Sequence, residues 1–147
     1  MTTGDPYNLQ RFVDAQREIF GQVLGELREG RKQSHWMWYI FPQIRGLGSS
    51  PMAQRYAILS LDEARAYWGH AVLGERLREC TSLVTAARAQ SIEEILRYPD
   101  NLKFHSSMTL FAHAANHEAV FEDALRKYFR SEYDHQTMAR ISSSWPT

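Results

Sequence analysis

Hydrophobic side chains recur at steps of three and four over most of this 147-residue chain. That is the period of helices that bury one face. The clearest run is Phe12, Gln16, Ile19, Phe20, Val23, Leu24 and Leu27. It predicts an amphipathic helix over about residues 9–29, with Asn8 as its cap, Gly30 as a left-handed stop, and Gln16, its one polar member, at the edge of the stripe. Ser60-Leu61-Asp62-Glu63 has the spacing of a capping box and opens a helix to about Trp68. Leu73, Leu77, Cys80, Val84 and Ala87 mark another over about 71–89. Ser91-Ile92-Glu93-Glu94 is a second capping box, and its short helix must stop before Pro99. Asp100 is the expected cap of NLKFHSSMTLFAHAA, Asn116 of the helix carrying Val120, Phe121, Ala124 and Leu125, and Asp134 of a last helix through Met138 and Ile141.

No alternating strand pattern of comparable length appears. Trp36–Phe41 is aromatic enough for a strand but too short for its period to decide. The pattern predicts an all-α protein: a single compact domain over 1–147 with roughly seven helices of mixed length. Residues 1–7 and 142–147 are expected to be loose ends, with Trp145 able to dock against the body.

Composition narrows the function classes. Lysine and arginine number 17, as do aspartate and glutamate. A neutral chain has no global pull toward nucleic acid or an anionic membrane. The longest apolar run is far too short to span a bilayer. Cys80 is the only cysteine, which rules out an internal disulfide and a cysteine-based zinc framework and fits a reducing compartment. Charge near the N-terminus argues against a signal peptide, so a cytoplasmic protein is expected.

Two motifs carry candidate chemistry. In HWMWYIFPQIRGLGSSP, Gly46 and Gly48 permit unusual backbone, Ser50 can cap a helix, and Pro51 suits its first position. Free amides there, beside Ser49, Ser50, Arg45 and Arg55, are suited to a phosphate or carboxylate. The same turn would also serve a chain that merely bends and starts a helix, and it lacks the Walker lysine. Trp36, Trp38, Tyr39 and Phe41 suit core packing. Together with polar neighbours such as His35 and Gln43 they also suit the wall of a small-molecule pocket. In KFHSSMTLF, Lys103, Ser106 and Ser107 share a helical face. Lys103 and Ser107 are candidate ligand contacts; the lysine precedes the serines, so the order of a Ser-Lys nucleophile is absent.

Six histidines raise a metal question. His113 and His117 have ligand spacing, but Asn116 is expected to interrupt the helix between them, and the others are dispersed, so no metal site and no cofactor are expected. His35 and His105 lie near the candidate pockets, where a near-neutral pKa suits acid–base work.

HWMWYIFPQIRGLGSSP, RYAILSLDEARAYWGHAVLGERL and DNLKFHSSMTLF together resemble the bacterial family catalogued as domain of unknown function 1810. The resemblance runs from DPYNLQRF to the final helix and implies a mainly helical fold with no established activity. Members sometimes carry the name calpastatin. An inhibitor of that kind is long, disordered and repetitive, whereas this chain is repeat-free and 12% aromatic.

The leading expectation is a pocket for a small, partly anionic, nucleotide-like molecule. Trp36, Trp38, Gln43, Arg45, Gly46, Gly48, Ser49, Ser50, Lys103 and Ser107 would line it. A rival is a helical interaction module or homodimer using the aromatic segment as its interface. A third is an enzyme acting on nucleotide or ADP-ribose-type substrates, for which no attacking group is identified. The residues leave open whether the protein is an enzyme, and whether it is a monomer or homodimer.

Overall fold

The computed structural model describes residues 4–144, and Trp145 lies outside them. The described residues form ten helices rather than seven: α1 Gln10–Arg17, α2 Phe20–Arg28, α3 Met37–Ile40, α4 Pro51–Arg55, α5 Leu61–Gly69, α6 Leu73–Ala86, α7 Ile92–Leu96, α8 Asp100–Ala114, α9 Ala119–Phe129 and α10 His135–Ser144. Among the described residues no strand joins them. One isolated parallel bridge pairs Ile44 with Ile58.

One extra helix comes from a break in the predicted first helix, and another, α3, from the ambiguous aromatic run. The long first helix divides at Glu18-Ile19 with neither glycine nor proline present. Gln16 is not at the edge of the stripe but 1% exposed. Its Nε2 donates to the Tyr39 carbonyl at 2.7 Å and to the Tyr67 hydroxyl at 3.1 Å. Its Oε1 accepts from Arg76 at 3.2 Å. A buried amide must be satisfied, and this one ties three segments together where the helix breaks.

The caps also differ from expectation. Asn8 is left-handed (φ 53°) and caps nothing. Asp5 instead accepts from the amides of Leu9 at 2.6 Å and Gln10 at 2.9 Å. Asp5→Ala is therefore expected to cost about 1 kcal/mol in a urea titration. Asn8→Gly should be near neutral, because glycine favours that backbone. Ser91 forms no side-chain cap, so the second capping box is not made. Asp100 lies inside α8, its carboxylate drawn to Lys32 at 2.9 Å. Asn116 and His117 form a left-handed turn ahead of α9, whose cap position is Glu118. Ser60 does cap α5 through the Glu63 amide at 3.1 Å. Glu63 reaches back one residue further than expected, to the Leu59 amide at 3.0 Å. Gly30 (φ 74°) ends α2 as expected, its amide bonded to the Leu27 carbonyl and that of Arg31 to Glu26. Asp134 caps α10 through the Thr137 amide at 3.0 Å.

Helix α8 is the centre of the fold. It is buried on nearly every face, polar Ser106, Ser107 and Thr109 included, and packs against α5, α7, α9 and α10. An aromatic chain threads the core: Phe12 meets Tyr67 edge-on at 5.1 Å, Tyr67 lies 5.3 Å from Phe111, and Phe111 lies 5.9 Å from Phe121. Phe41 packs edge-on against Phe104 at 4.9 Å. That contact anchors the aromatic segment to the first turns of α8. It also brings the adjoining GLGSSP turn to the same side of the molecule.

Cys80 is fully buried, and burial pushes its thiol pKa up to about 12. It is packed as a small apolar group rather than poised as a nucleophile. No helix among the described residues is long and apolar enough to cross a membrane.

Candidate functional site

The ambiguous run resolves into a short helix, α3, joined to extended chain. The Arg45 amide donates to the Ile58 carbonyl at 2.8 Å, and the Ile58 amide to the Gln43 carbonyl at 2.9 Å. These two bonds close the loop that carries GLGSSP and α4. Arg11 holds its far end, donating to the carbonyls of Arg55 at 2.9 Å and Ala57 at 2.8 Å and pairing with Glu63 at 2.9 Å. Ser50 caps α4 through the Ala53 amide at 3.1 Å, with Pro51 at the first helical position, as the spacing predicts. Gly46 has φ +92°, a left-handed backbone that selects glycine, whereas the Arg140 guanidinium beside it is the end of a flexible side chain that could move aside.

This loop faces the start of α8 across a cleft of about 550 Å³. Gln43, Leu47, Gly48, Ser49, Ser50 and Ala53 line one side. Pro99, Leu102, Lys103 and Ser106 line the other, and Asp134 and Gln136 from the start of α10 complete the rim. The volume falls in the range of small-ligand pockets. A smaller pocket of about 160 Å³ shares Gln43, Gly48 and Ala53 with the cleft and adds Trp38, Arg45 and Gly46.

Of the ten residues singled out from sequence, eight line one or both of these cavities: Trp38, Gln43, Arg45, Gly46, Gly48, Ser49, Ser50 and Lys103. Trp36 does not. It is 0% exposed, and its indole Nε1 donates to Glu26 Oε1 at 2.9 Å. The partner its N–H needs comes from α2 rather than from His35, Gln43 or Arg45. Ser107 is also 0% exposed, and its hydroxyl has no hydrogen-bond partner. The face shared with Lys103 continues through Ser106, three residues on; one further residue turns the side chain into the core.

Lys103 is the main charge of the cleft. Its Nζ lies 5.1 Å from the Trp38 ring centre and 3.5 Å from Asp100 Oδ1, with the side chain 26% exposed. A cation over an indole face is held without being neutralised. Opposite charge comes from Asp134, whose Oδ2 accepts from the Thr137 hydroxyl at 2.6 Å. Thr137 lies 2.7 Å from the Ser106 hydroxyl. Thr137 spends its one proton on Asp134, so Ser106 donates to Thr137. The Ser106 hydroxyl is thus committed to pinning α10 on α8 and is 2% exposed, a poor setting for an attacking oxygen.

Sequence reasoning placed Ser106 on the face of Lys103 but chose Ser107 as the contact, and it missed Asp134 and Gln136 as cleft residues. Asp134 and Gln136 reach the cleft from a helix about 30 residues downstream, and no local pattern signals that return.

The histidines stand apart from the cleft. His105 stacks on Phe129 at 4.0 Å, with Nε2 2.8 Å from the Glu132 carbonyl. The rings of His113 and His117 are 5.0 Å apart, but the left-handed turn at Asn116 separates them, and His117 pairs with Glu122 at 2.8 Å. Among the described residues no group of three or more histidine, cysteine or acidic side chains is arranged to hold a metal ion.

A family model described as a protein of unknown function, DUF1810, matches residues 6–141, the span over which the quoted motifs show their resemblance. The crystal structure of the conserved hypothetical protein Rv1873 from Mycobacterium tuberculosis is similar: 53% identity, a TM-score of 0.92, and coverage of 94% of this chain and 99% of that one. No curated protein matches the chain.

Proposed function

For this chain, which belongs to the DUF1810 family of proteins of unknown function, we propose a role in binding a small, partly anionic molecule in the cleft between the GLGSSP loop and α8. One observation carries the reading. Two polar motifs more than fifty residues apart in sequence face each other across one cleft, with Lys103 propped on Trp38 between them. Lys103 supplies the charge for an anionic group, and the Ser49 hydroxyl and the amides of Gln43 and Gln136 supply hydrogen bonds. Leu47, Leu102 and Pro99 give apolar area. Asp134 favours a ligand that also offers a hydroxyl or amino donor, so a sugar phosphate or nucleoside monophosphate suits the lining better than a bare anion.

The rival interface reading draws less support, because Trp36, Tyr39 and Phe41 are buried within the chain's own core and only Trp38 of the four aromatics is partly exposed. An enzymatic reading lacks an attacking group at the cleft.

A thermal-shift panel of nucleotides and sugar phosphates tests the proposal. A ligand at a hundred times its Kd adds about 2.7 kcal/mol, so at least one compound is expected to raise the melting temperature measurably. Lys103→Gln removes a charge-assisted contact and is expected to weaken that compound by roughly tenfold or more, while the Lys32–Asp100 pair keeps the start of α8 in place. No stabilisation by any compound, or equal stabilisation of the variant, contradicts the reading.

A further inference from the structure

A second pocket, which also reaches Trp38, lies between the α2–α3 loop and the α7–α8 corner. Its volume is about 290 Å³, and Lys32, His35, Trp38, Arg97, Tyr98 and Asp100 are among its lining residues. We infer that this pocket is a separate binding site for a small phosphate monoester, its head held by Lys32 and Arg97. The inference does not depend on the cleft being occupied.

Three observations lead there. The first is charge. Lys32 has a side chain only 8% exposed, with Nζ 2.9 Å from Asp100 Oδ2 and 5.0 Å from the Trp36 ring centre. The other oxygen of the same carboxylate faces Lys103 at 3.5 Å. One carboxylate therefore serves two ammonium groups, one of them almost fully buried. The local balance is thus net positive around a single carboxylate, and an entering anion evens it.

The second is a free fork. Arg97 lines the same pocket, and its guanidinium has no hydrogen bond or ion pair among the described residues. A planar guanidinium matches two phosphate oxygens at once.

The third is backbone. Arg97 has φ 67° and ψ 163°, a region occupied almost only by glycine. Glycine would hold this corner without strain, yet an arginine stands there with its charged end directed to no protein partner. Met37, Trp38 and Tyr98 offer apolar and aromatic area for the rest of a small ester. The volume is at the lower limit for ligand pockets, which restricts the guest to a single ring or shorter chain.

Titration calorimetry at low ionic strength with phenyl phosphate, and with benzoate as a carboxylate of similar shape, tests the assignment. Phenyl phosphate is expected to bind, with amide shifts at residues 32–38 and 96–100, and benzoate to bind more weakly. Arg97→Gln should weaken phenyl phosphate at least tenfold. Arg97→Gly should lose the same binding while raising the melting temperature, a pairing that a purely structural arginine would not give. Lys32→Gln should also lose binding; if it fails to fold, the exposed Arg97 decides the question. Phenyl phosphate should move residues 32–38 and 96–100 while leaving residues 46–50 in place, so loss of this site is distinguished from loss of the cleft. Absence of binding, equal affinity in Arg97→Gln, equal affinity for benzoate, or shifts confined to residues 46–50 and 103–106 overturns the inference.

Discussion

Glu26→Ala is expected to destabilise the protein by roughly 4 kcal/mol, because it strips the partners from several groups at once. Glu26 Oε1 accepts from the amides of Gln33 at 2.7 Å and Ser34 at 3.0 Å and from the Trp36 indole at 2.9 Å. Its Oε2 accepts from the Ser34 hydroxyl at 2.6 Å and from Gln22 at 3.1 Å. Burial alone would raise this carboxyl's pKa; the hydrogen bonds from Ser34, Gln33 and Trp36 outweigh it and hold the group down at about 2 against 4.5 when unpaired. A carboxylate whose folded pKa is depressed contributes stability that is complete above its unfolded pKa and lost as pH falls through the folded one. The Glu26 contribution is therefore full above about pH 4.5 and disappears toward pH 2, worth about 3 kcal/mol across that window. Wild type should lose stability steeply there, and Glu26→Gln should flatten that part of the profile. Urea unfolding at a series of pH values measures both effects. The residue matters for function because it sets the loop leading into Trp36 and hence the placement of Trp38 beside Lys103.

The second large effect is expected at Gly74. A Cβ there would lie 2.1 Å from the Trp68 carbonyl oxygen and 3.1 Å from its carbon, both backbone atoms of α5 that no rotamer change can move aside. Gly74→Ala must push α6 away from α5 and is expected to cost about 3 kcal/mol or more. At this chain length that lowers the melting temperature by roughly 10 °C. Gly25→Ala, where a Cβ meets nothing within 4 Å, is the matched control and should be neutral or slightly stabilising. Calorimetry of the two variants separates crowding from the loss of a glycine as such.

The fold class was legible because apolar stripes report which helical face is buried, and that holds however the helices are cut. Ser50-Pro51, Ser60, Asp134 and Pro99 were legible because their effects are local: a side chain reaches an amide three residues on, or a ring forbids a helical neighbour. The cuts themselves were not. Gln16 has the propensity to continue a helix, and the partners of its side-chain amide, Tyr39, Tyr67 and Arg76, are all distant in sequence. Asp100 is a good cap in isolation but is recruited by Lys32, 68 residues earlier in the chain. The site divides the same way. Lys103 and the GLGSSP loop announce themselves by residue type, whereas Asp134 and Gln136 enter the cleft through the packing of α10 on α8. The choice between Ser106 and Ser107 needed a rotation of one residue about the helix axis, finer than a pattern of small polar residues resolves.

In the proposed function, the GLGSSP loop and the start of α8 act as the two walls of one binding site. Amide chemical shifts recorded during titration with ribose 5-phosphate and adenosine monophosphate test it most directly. One of these compounds is expected to shift residues 46–50 and 103–106 together, with a single saturation curve, and Lys103→Gln to abolish both sets of shifts. Shifts confined to one wall, or absent from both, would contradict it.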